Sequence, residues 1–459
     1  MEVDTIASVS TAPGVAAIAV VRVSGPAAGP ILLELAPALG TLPVARRGTL
    51  VELRDPADGT LIDRAVATFY AGPASYTGED LLELSCHGGW LVPEIVLEAA
   101  IQAGARRADP GEFTRRAYLR GKLDLVQAEA VADLIEARSR ALHRAALGQL
   151  ERGLSRRVTA LREGLLEVEA FLAHMIDFPE EDDAPVSVEE VSARASVLVR
   201  EIDVLLATAP EGELMREGAL AVLAGRPNVG KSSLYNALIG EERAIVTEEP
   251  GTTRDALIAS VQLGSFPFRL VDTAGLREAS EHVERIGIEV TQRYLERADV
   301  VLLCVPAQDG LGETEKGFLD ELGGVPAVVV ETMADRGGSP AREATSDVTA
   351  RRAACKVRTS VVTGEGLPEL RELLPRLVYS AVVTASPETP VLTRRRQRQA
   401  LERARSEVQA FEQCLGRGLP AEVASTHLRT AETALEELLG VISVEDVLDV
   451  VFSEFCVGK

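Results

Sequence analysis

Residues 225–232, which read GRPNVGKS, restrict the fold of this chain more than any other segment. They match the pattern G-x-x-x-x-G-K-S at every fixed position, with the apolar run ALAVLA before them and SLYNALIG after them. A strand, a glycine-rich loop and a helix in this order form a phosphate-binding unit. Glycine lets backbone N–H groups approach phosphate, Lys231 supplies positive charge, and the Ser232 hydroxyl can bind Mg²⁺. The segment predicts a nucleoside triphosphate site.

Short apolar runs alternate with helical patterns around this loop, from residue 217 to residue 379. Runs that are apolar throughout are typical of parallel strands covered by helices on both faces. Such runs stand at 219–223, 269–271, 300–305 and 327–330. We therefore predict a Ras-like P-loop α/β domain over 217–379.

The front of the chain, residues 1–121, has a different pattern from this region. Its short apolar runs alternate with glycine and proline turns, which favours a mixed α/β domain. We predict strands at 16–23 and 65–69 and a helix at 93–103. The front is therefore predicted to form an N-terminal domain of its own.

Helical periodicity dominates the rest of the chain. The segment 127–147 reads as an amphipathic helix, and similar patterns return after residue 379. The simplest organisation is one helical domain, formed by 122–216 and 380–459, with the α/β domain inserted into it. The predicted fold class is thus multidomain α+β.

The composition limits the partners that this chain can bind. Its formal net charge of -22 repels phosphate, so RNA contact needs a local basic patch or a partner protein. The five cysteines form no CxxC pair, which disfavours a disulfide framework or a zinc site. The sequence starts without a basic flank and an apolar stretch, and it lacks a run of 18 apolar residues. We expect a soluble, cytoplasmic protein without a membrane span.

Two further motifs identify the class of nucleotide hydrolase. The sequence DTAG at 272–275 follows an apolar strand, so Asp272 can support Mg²⁺ while the glycine N–H senses the γ-phosphate. Between this motif and the first lies GTTRD at 251–255, whose threonines can complete the Mg²⁺ shell as a switch. Three elements in this order favour a GTPase over a generic ATPase.

The base-recognition loop departs from the usual GTPase pattern. An Asn-Lys-x-Asp sequence is expected after the next strand, but Thr332 and Met333 stand in its first two positions. Asp335 is retained and can accept hydrogen bonds from guanine N1 and N2, which adenine does not offer. Ser360 lies in a TSV sequence that resembles a second guanine-contacting loop. Guanine preference is expected, with reduced affinity.

Taken together, these motifs resemble the MnmE (TrmE) family of tRNA modification GTPases. The segments GRPNVGKSSLYNAL, VTEEPGTTRD and DTAGLREASEHVERIGIE are similar to that family, as are SYTGEDLLELSCHGG, PGEFTRRAYLRGKLDLVQAEAVADLI and the terminal FCVGK. The resemblance extends over nearly the whole chain. It implies an N-terminal folate-binding fold of the aminomethyltransferase type and a homodimer.

The resemblance also implies binding residues. The family's contacts with 5-formyltetrahydrofolate fall on Arg22, Glu83, Lys122 and Lys459, types that suit an anion with a pterin ring. Without the resemblance, Arg22, Lys122 and Lys459 would be interpreted as solvated surface cations. The implied nucleotide contacts are Asn228, Val229, Gly230, Lys231, Ser232, Ser233, Thr247, Thr252, Thr253, Asp272, Thr273, Ala274, Gly275, Asp335 and Ser360.

The implied hydrolysis mechanism uses a glutamate and two metal ions. Glu284 would position the attacking water, although by itself it reads as an exposed carboxylate at the start of a helix. Magnesium would be bound by Ser232 and Thr253. Potassium, which stabilises charge near the β/γ bridge, would be bound by Asn228, Thr247, Glu249 and Thr252.

Two other residues invite a chemical role. Cys456 would reach the folate site in the family, but a lone cysteine is more often buried filler. His87 could be a metal ligand or a general base, but a structural turn residue is the better interpretation.

The implied function is modification of C5 of the wobble uridine to (carboxymethyl)aminomethyluridine. The chain would work with a flavin-dependent partner resembling MnmG, in a heterotetramer in which only the partner carries FAD. Cations at Arg115, Arg116, Arg120 and 394–396 could assist tRNA binding. The alternatives are a ribosome-assembly switch GTPase and a one-carbon transferase with a merely regulatory GTPase.

Overall fold

The computed structural model describes residues 4–177, 187–240, 258–272, 294–337, 355–384, 386, 389–442, 445–453, 455 and 458. Two compact units emerge. The first comprises 1–132, 149–162 and 432–459, and the second comprises 133–148 and 163–431. The mixture of sheets and helices confirms the predicted multidomain α+β class. The predicted domain boundaries stay a prediction.

The first unit contains a six-stranded sheet. Its strands are β1 (Ile6–Val9), β2 (Ile18–Ser24), β3 (Thr49–Arg54), β4 (Leu61–Tyr70), β5 (Leu81–His87) and β6 (Arg106–Arg107). Their order is β3-β4-β5-β2-β1-β6, antiparallel except for the β1–β6 pair. The strands predicted at 16–23 and 65–69 are confirmed as β2 and β4.

Alternation along these strands decides which face of the sheet is buried. In β2, Val21 and Val23 are fully buried and pack with the helices α1 (Ala28–Leu35) and α2 (Val92–Gln102). Arg22 lies between the two valines, so it points to the opposite face. The helix predicted at 93–103 is confirmed as α2. One face of the sheet thus packs on these helices, and the other carries Arg22 beside a smaller apolar cluster of Ile6, Leu81, Ala108 and Phe113.

The described helices of the chain beyond α2 are α3 (Glu112–Leu119), α4 (Leu125–Glu136), α5 (Arg140–Leu150), α6 (Gly153–Asp177), α7 (Val188–Leu206), α8 (Ala209–Glu217), α9 (Lys231–Gly240), α10 (Glu313–Glu321), α11 (Leu367–Val378), α12 (Ser380–Thr384), α13 (Arg395–Gly416), α14 (Ala421–Leu439) and α15 (Glu445–Ser453). They include four long ones, α6, α7, α13 and α14. In the second unit, α7 and α13 pack along each other. A capping box of Ser187 and Glu190 begins α7.

The single helix predicted over 127–147 is wrong, because α4 ends at Glu136 and α5 begins at Arg140. The Ser139 hydroxyl accepts a hydrogen bond from the backbone N–H of Leu142 at 3.2 Å. A serine in this position caps a new helix and competes with continuation of the old one. The break is therefore encoded locally, by a residue that the periodicity does not reveal.

The second unit contains the other six-stranded sheet. Its strands are β7 (Ala219–Ala224), β8 (Ile258–Leu263), β9 (Phe266–Asp272), β10 (Val300–Pro306), β11 (Ala327–Thr332) and β12 (Cys355–Arg358). The order is β12-β11-β10-β7-β9-β8, parallel except for the β8–β9 pair. The four predicted parallel strands are confirmed as β7, β9, β10 and β11. Their carboxyl ends meet at one edge, where ligands bind in such sheets.

Candidate functional site

The loop between β7 and α9 is held by its own lysine. Lys231 is buried, and its Nζ donates to the carbonyl oxygens of Gly225 at 2.9 Å and Arg226 at 2.6 Å. A side chain on Gly225 would collide with the Cys304 carbonyl, since an added Cβ would lie 2.4 Å from that oxygen. The glycine therefore lets the loop cross the end of β10 closely, and the lysine charge stays inside the loop.

The middle of the loop has a left-handed backbone. Asn228 has a φ of 61° and Gly230 has a φ of 93°. Asparagine tolerates this region better than most residues, and glycine adopts it without steric cost. Successive turns of opposite hand aim backbone N–H groups to one side and create an anion-binding concavity. This geometry suits a chain of phosphates.

A hydroxyl and a carboxylate meet beside this loop. The Ser232 Oγ, at the start of α9, donates to Asp272 Oδ2 at 2.7 Å. Asp272 ends β9, is nearly inaccessible to solvent, and lies beside β7 because the two strands pair in parallel. Oxygen ligands of these types are those that Mg²⁺ prefers. The pair therefore fits a magnesium site without rearrangement of either strand.

A second hydroxyl–carboxylate pair lies beyond β11 and β12. The buried Ser360 donates from its Oγ to Asp335 Oδ1 at 2.7 Å, and the backbone N–H of Thr363 donates to the same hydroxyl at 3.2 Å. The hydrogen bond from Ser360 holds the pKa of the Asp335 carboxyl below its usual 3.8. Asp335 is therefore an ionised acceptor, as recognition of guanine N1–H and N2–H groups requires.

The phosphate loop also carries an ion pair that the sequence analysis missed. Arg226 makes two parallel contacts with Glu315 of α10, Nε to Oε1 at 2.8 Å and Nη2 to Oε2 at 3.1 Å. The backbone N–H of Gly312 donates to the same carboxylate at 3.1 Å. The two residues are 89 positions apart, so no sequence pattern reveals the pair. It ties the loop to α10.

The first unit brings together the predicted folate residues Arg22 and Glu83. They are directly opposite each other on β2 and β5, and Arg22 Nη2 lies 2.7 Å from Glu83 Oε1. The guanidinium carbon lies 5.6 Å from the ring centre of Tyr76 and 5.8 Å from that of Phe113. A cation beside two aromatic rings suits a flat, polar ligand. Tyr70 donates to Glu83 Oε2 at 3.3 Å.

Of the two other predicted folate residues, the structure describes only Lys122, which contacts a different partner. Lys122 donates from Nζ to the Pro73 carbonyl at 3.0 Å, and Lys459 lies outside the described residues. Near the chain end, Ser10 donates from Oγ to the Gly458 carbonyl at 3.0 Å. Ser10 follows β1, in which Ser8 pairs with Arg22. The described part of the tail therefore docks on the same sheet as Arg22.

His87 forms a structural turn contact. Its Nδ1 lies 2.7 Å from Asp63 Oδ1, and its backbone N–H donates to Asp63 Oδ2 at 2.8 Å. One carboxylate thus fixes both the ring and the main chain at the end of β5. The arrangement fits the turn interpretation of His87.

Most of the arginines suggested for RNA contact are engaged elsewhere. Arg394 is buried, and its Nη2 lies 2.7 Å from Asp133 Oδ1. Arg116 is largely buried and pairs with three carboxylates, those of Asp4, Glu79 and Glu112. Arg115 pairs with the exposed Asp449, and Arg120 pairs with the buried Glu79. Arg116 and Arg394 are therefore not the exposed cations that contact with RNA would need, since their charges are buried with partners.

Several predicted site residues lie outside the part of the chain that the structure describes. They are Thr247, Glu249, Thr252, Thr253, Thr273, Ala274, Gly275, Glu284 and Cys456. The remaining nucleotide residues, from Asn228 to Ser233 with Asp272, Asp335 and Ser360, border the carboxyl edge of one sheet. Within the described ranges, none of the helices has the length and hydropathy of a membrane span.

Comparison with known proteins identifies close relatives over the full length. A model of the MnmE helical domain matches residues 125–456, and a model of the N-terminus of the GTP-binding protein TrmE matches residues 5–122. The tRNA modification GTPase MnmE of Heliobacterium modesticaldum is 41% identical over 478 residues, with 99% of each chain covered. The proteins of the same name from Akkermansia muciniphila and Neisseria gonorrhoeae are also 41% identical, with at least 99% coverage.

Proposed function

We propose, on the premise that this chain belongs to the MnmE (TrmE) family of tRNA modification GTPases, that it is a K⁺-dependent enzyme acting on the wobble uridine. It hydrolyses GTP in the course of tRNA modification. With a flavin-dependent partner resembling MnmG, it converts C5 of that uridine to the (carboxymethyl)aminomethyl form. Because its substrate is tRNA, we expect the protein in the cytoplasm.

The phosphate site supports the GTPase half of this proposal. Lys231 exchanges its contacts with the loop carbonyls for the β- and γ-phosphate oxygens. Ser232 and Thr253 would hold Mg²⁺, and Asp272, which accepts a hydrogen bond from Ser232 at the end of β9, would support the ion. Bound Mg²⁺ neutralises charge on the phosphates. Lys231 and Ser232 already stand beside the concavity that the loop forms.

A potassium site beside the same loop is the catalytic part of the proposal. Asn228, Thr247, Glu249 and Thr252 would hold the ion. When bound, K⁺ supplies positive charge where negative charge develops at the β/γ bridge. Glu284 orients the attacking water. The φ of Asn228, 61°, supports this role because a strained residue in a ligand loop is commonly functional.

The Arg22–Glu83 pair supports the folate half. A tetrahydrofolate such as 5-formyltetrahydrofolate places its pterin beside Tyr76 and Phe113, with its polar edge on Glu83 and Arg22. Lys122 and Lys459 neutralise the glutamate tail of the ligand. Cys456 would act at the same site, since Gly458, two residues further along the chain, accepts a hydrogen bond from Ser10. The folate supplies the one-carbon unit.

An exposed apolar surface on the first unit supports a homodimer. Val15, Ile18, Trp90 and Leu91 are each more than 60% exposed. Ile18 of β2 is paired with His87 of β5, which brings the loop before β2 next to the loop after β5. Exposed large apolar groups that lie together mark protein interfaces. Two such dimers, one of this chain and one of the partner, form the heterotetramer.

The observation that carries the proposal is that one chain holds both a phosphate loop and an aromatic-lined arginine–glutamate pair. The test is modification of purified tRNA by this chain with the flavin partner, GTP, Mg²⁺, K⁺, NADH, labelled 5-formyltetrahydrofolate, and glycine or ammonium as the source of the amine. Label is expected on the wobble uridine, and only when both proteins are present. Label transfer without the partner would instead support a one-carbon transferase with a regulatory GTPase. GTP hydrolysis without any label on tRNA would favour a ribosome-assembly GTPase.

A further inference from the structure

A buried hydroxyl joins the loop after β11 to the phosphate loop. Thr332 is 4% exposed, and its Oγ1 lies 2.5 Å from the Val229 carbonyl oxygen and 3.3 Å from that of Val305. A hydroxyl has a single proton, so the nearer oxygen takes the stronger hydrogen bond. The base-recognition segment, at its first residue, therefore donates a hydrogen bond to a carbonyl of the phosphate loop.

This carbonyl belongs to a peptide whose other end faces the phosphate site. The peptide unit is planar, so the direction of the Val229 carbonyl fixes the opposite direction of the Gly230 N–H. The residues on either side, Asn228 and Gly230, have φ values of 61° and 93°, outside any repeating structure. A helix or sheet ladder thus does not set the orientation of this peptide. The hydrogen bond from Thr332 does.

Met333, the next residue of the base-recognition segment, lies close to the same peptide. It has a φ of 57°, which is uncommon for a residue other than glycine. A Cβ added to Gly230 would lie 3.6 Å from Met333 Cε and 3.6 Å from Thr332 Cβ, which is ordinary van der Waals contact. Strained residues persist only where their surroundings hold them. The two loops therefore lie close together at Gly230.

We propose, resting on the assignment of the base loop made above, that Thr332 is a positioning residue that couples recognition of the base to recognition of the phosphates. Its hydrogen bond aims the Gly230 N–H at a phosphate of the bound nucleotide. Met333 covers the purine with apolar surface and adds no charge. A nucleotide that orders the base loop thereby orders the phosphate loop, so the two contacts stabilise binding cooperatively.

The test compares GDP with GMP, which lacks the β-phosphate. Thr332→Val removes the hydroxyl at nearly constant volume and leaves the Val229 carbonyl without this donor. Competition against a fluorescent GDP analogue, on the full chain, is expected to show GDP binding weakened about ten-fold, since a lost buried hydrogen bond costs about that much. GMP binding is expected to change less than about two-fold. Thr332→Ser, which keeps the donor, restores GDP binding.

Equal losses for GDP and GMP would overturn the proposal, because they would indicate a merely structural role. Unchanged GDP binding would overturn it too. If Thr332→Val melts too low to purify, Thr332→Ala is tested in its place against the same criterion. Asp335→Asn, measured in parallel, separates this proposal from the base-loop assignment. If Asp335→Asn leaves the base preference unchanged, the assignment of the base loop fails. If Asp335→Asn changes the base preference but Thr332→Val binds GDP normally, the assignment stands and only the coupling is disproved.

Discussion

The phosphate loop of the second unit and the Arg22–Glu83 pair of the first unit are organised in different ways. Contiguous backbone forms the loop, where Lys231 binds carbonyls of its own loop and Asn228 and Gly230 supply the bends. The pair joins side chains that are 61 positions apart, on neighbouring strands. A backbone site binds its ligand mainly through N–H groups, which a side-chain substitution leaves in place, whereas a side-chain site loses its ligand contacts directly. Substitutions in the two regions should therefore have separable effects.

The largest expected effect is that of Lys231→Ala. The variant lacks the positive charge on the β- and γ-phosphates and the contacts of Lys231 with the carbonyls of Gly225 and Arg226, so GTP hydrolysis should fall at least about 100-fold. Hydrolysis is measured by phosphate release, and 5-formyltetrahydrofolate binding by calorimetry on the same sample. Folate binding should not change.

A matched control is Lys316→Ala, because Lys316 is an exposed lysine of the same unit that pairs with Glu313. Its hydrolysis rate should stay within about two-fold of the wild type, since exposed ion pairs contribute little. If Lys231→Ala hydrolyses GTP normally, the loop is not the catalytic site.

The converse effect is expected for Arg22→Ala. It removes the cation between Tyr76 and Phe113 and leaves Glu83 without this partner, so binding of 5-formyltetrahydrofolate should weaken about 10- to 100-fold. GTP hydrolysis by the isolated protein should not change. Calorimetric titration with the folate measures the first effect.

Arg107→Ala is the control for that variant, since Arg107 is an exposed arginine of the same unit that pairs with Glu94. It should bind folate normally. Equal folate affinity in Arg22→Ala and the wild type would remove the pair from the proposed site.

A smaller effect, on selectivity rather than rate, is expected for Asp335→Asn. The carboxylate accepts from guanine N1–H and N2–H, whereas an amide can donate to the O2 of xanthine. Preference for GDP over XDP should fall about 100-fold, because a mismatched buried polar group disfavours the wrong base strongly. Competition binding with both nucleotides measures it. A variant that still prefers GDP would show that Asp335 does not contact the base.

The smallest expected effect is that of mild acid on base preference. The hydrogen bond from Ser360 lowers the pKa of Asp335 below 3.8, so its ionised form contributes above that value and is lost only as the pH falls through the lowered pKa. Preference for GDP over ADP should therefore be the same at about pH 8 and about pH 5. Competition binding at both values checks this. A loss of preference at the lower pH would mean that the pKa of Asp335 is raised above its usual 3.8 rather than lowered.

The same contrast explains how much the sequence could reveal. The strands β7, β9, β10 and β11 and the loop residues Lys231 and Ser232 follow from contiguous patterns, because the backbone carries that site. The Arg22–Glu83 pair followed from family resemblance alone, since nothing local marks strand neighbours that are 61 positions apart.

Other features depend on tertiary contacts that no short pattern contains. Arg226 meets Glu315 89 positions away, and Arg394 is buried against Asp133 261 positions away. In the sequence, both arginines look like solvated charges. The helix break at Ser139 had a local signal, the capping serine, which the strong apolar periodicity of 127–147 obscured.

The most direct test of the central claim is the rate of GTP hydrolysis in KCl and in NaCl at equal ionic strength, with ATP as the competing substrate. We expect hydrolysis to be about 100-fold faster in KCl. The reason is that one group that stabilises charge in the transition state typically changes the rate of catalysis about 100-fold. ATP should compete poorly, and Asn228→Ala should abolish the difference between the salts. Equal rates in KCl and NaCl for the wild type would contradict the potassium mechanism and the role of Asn228.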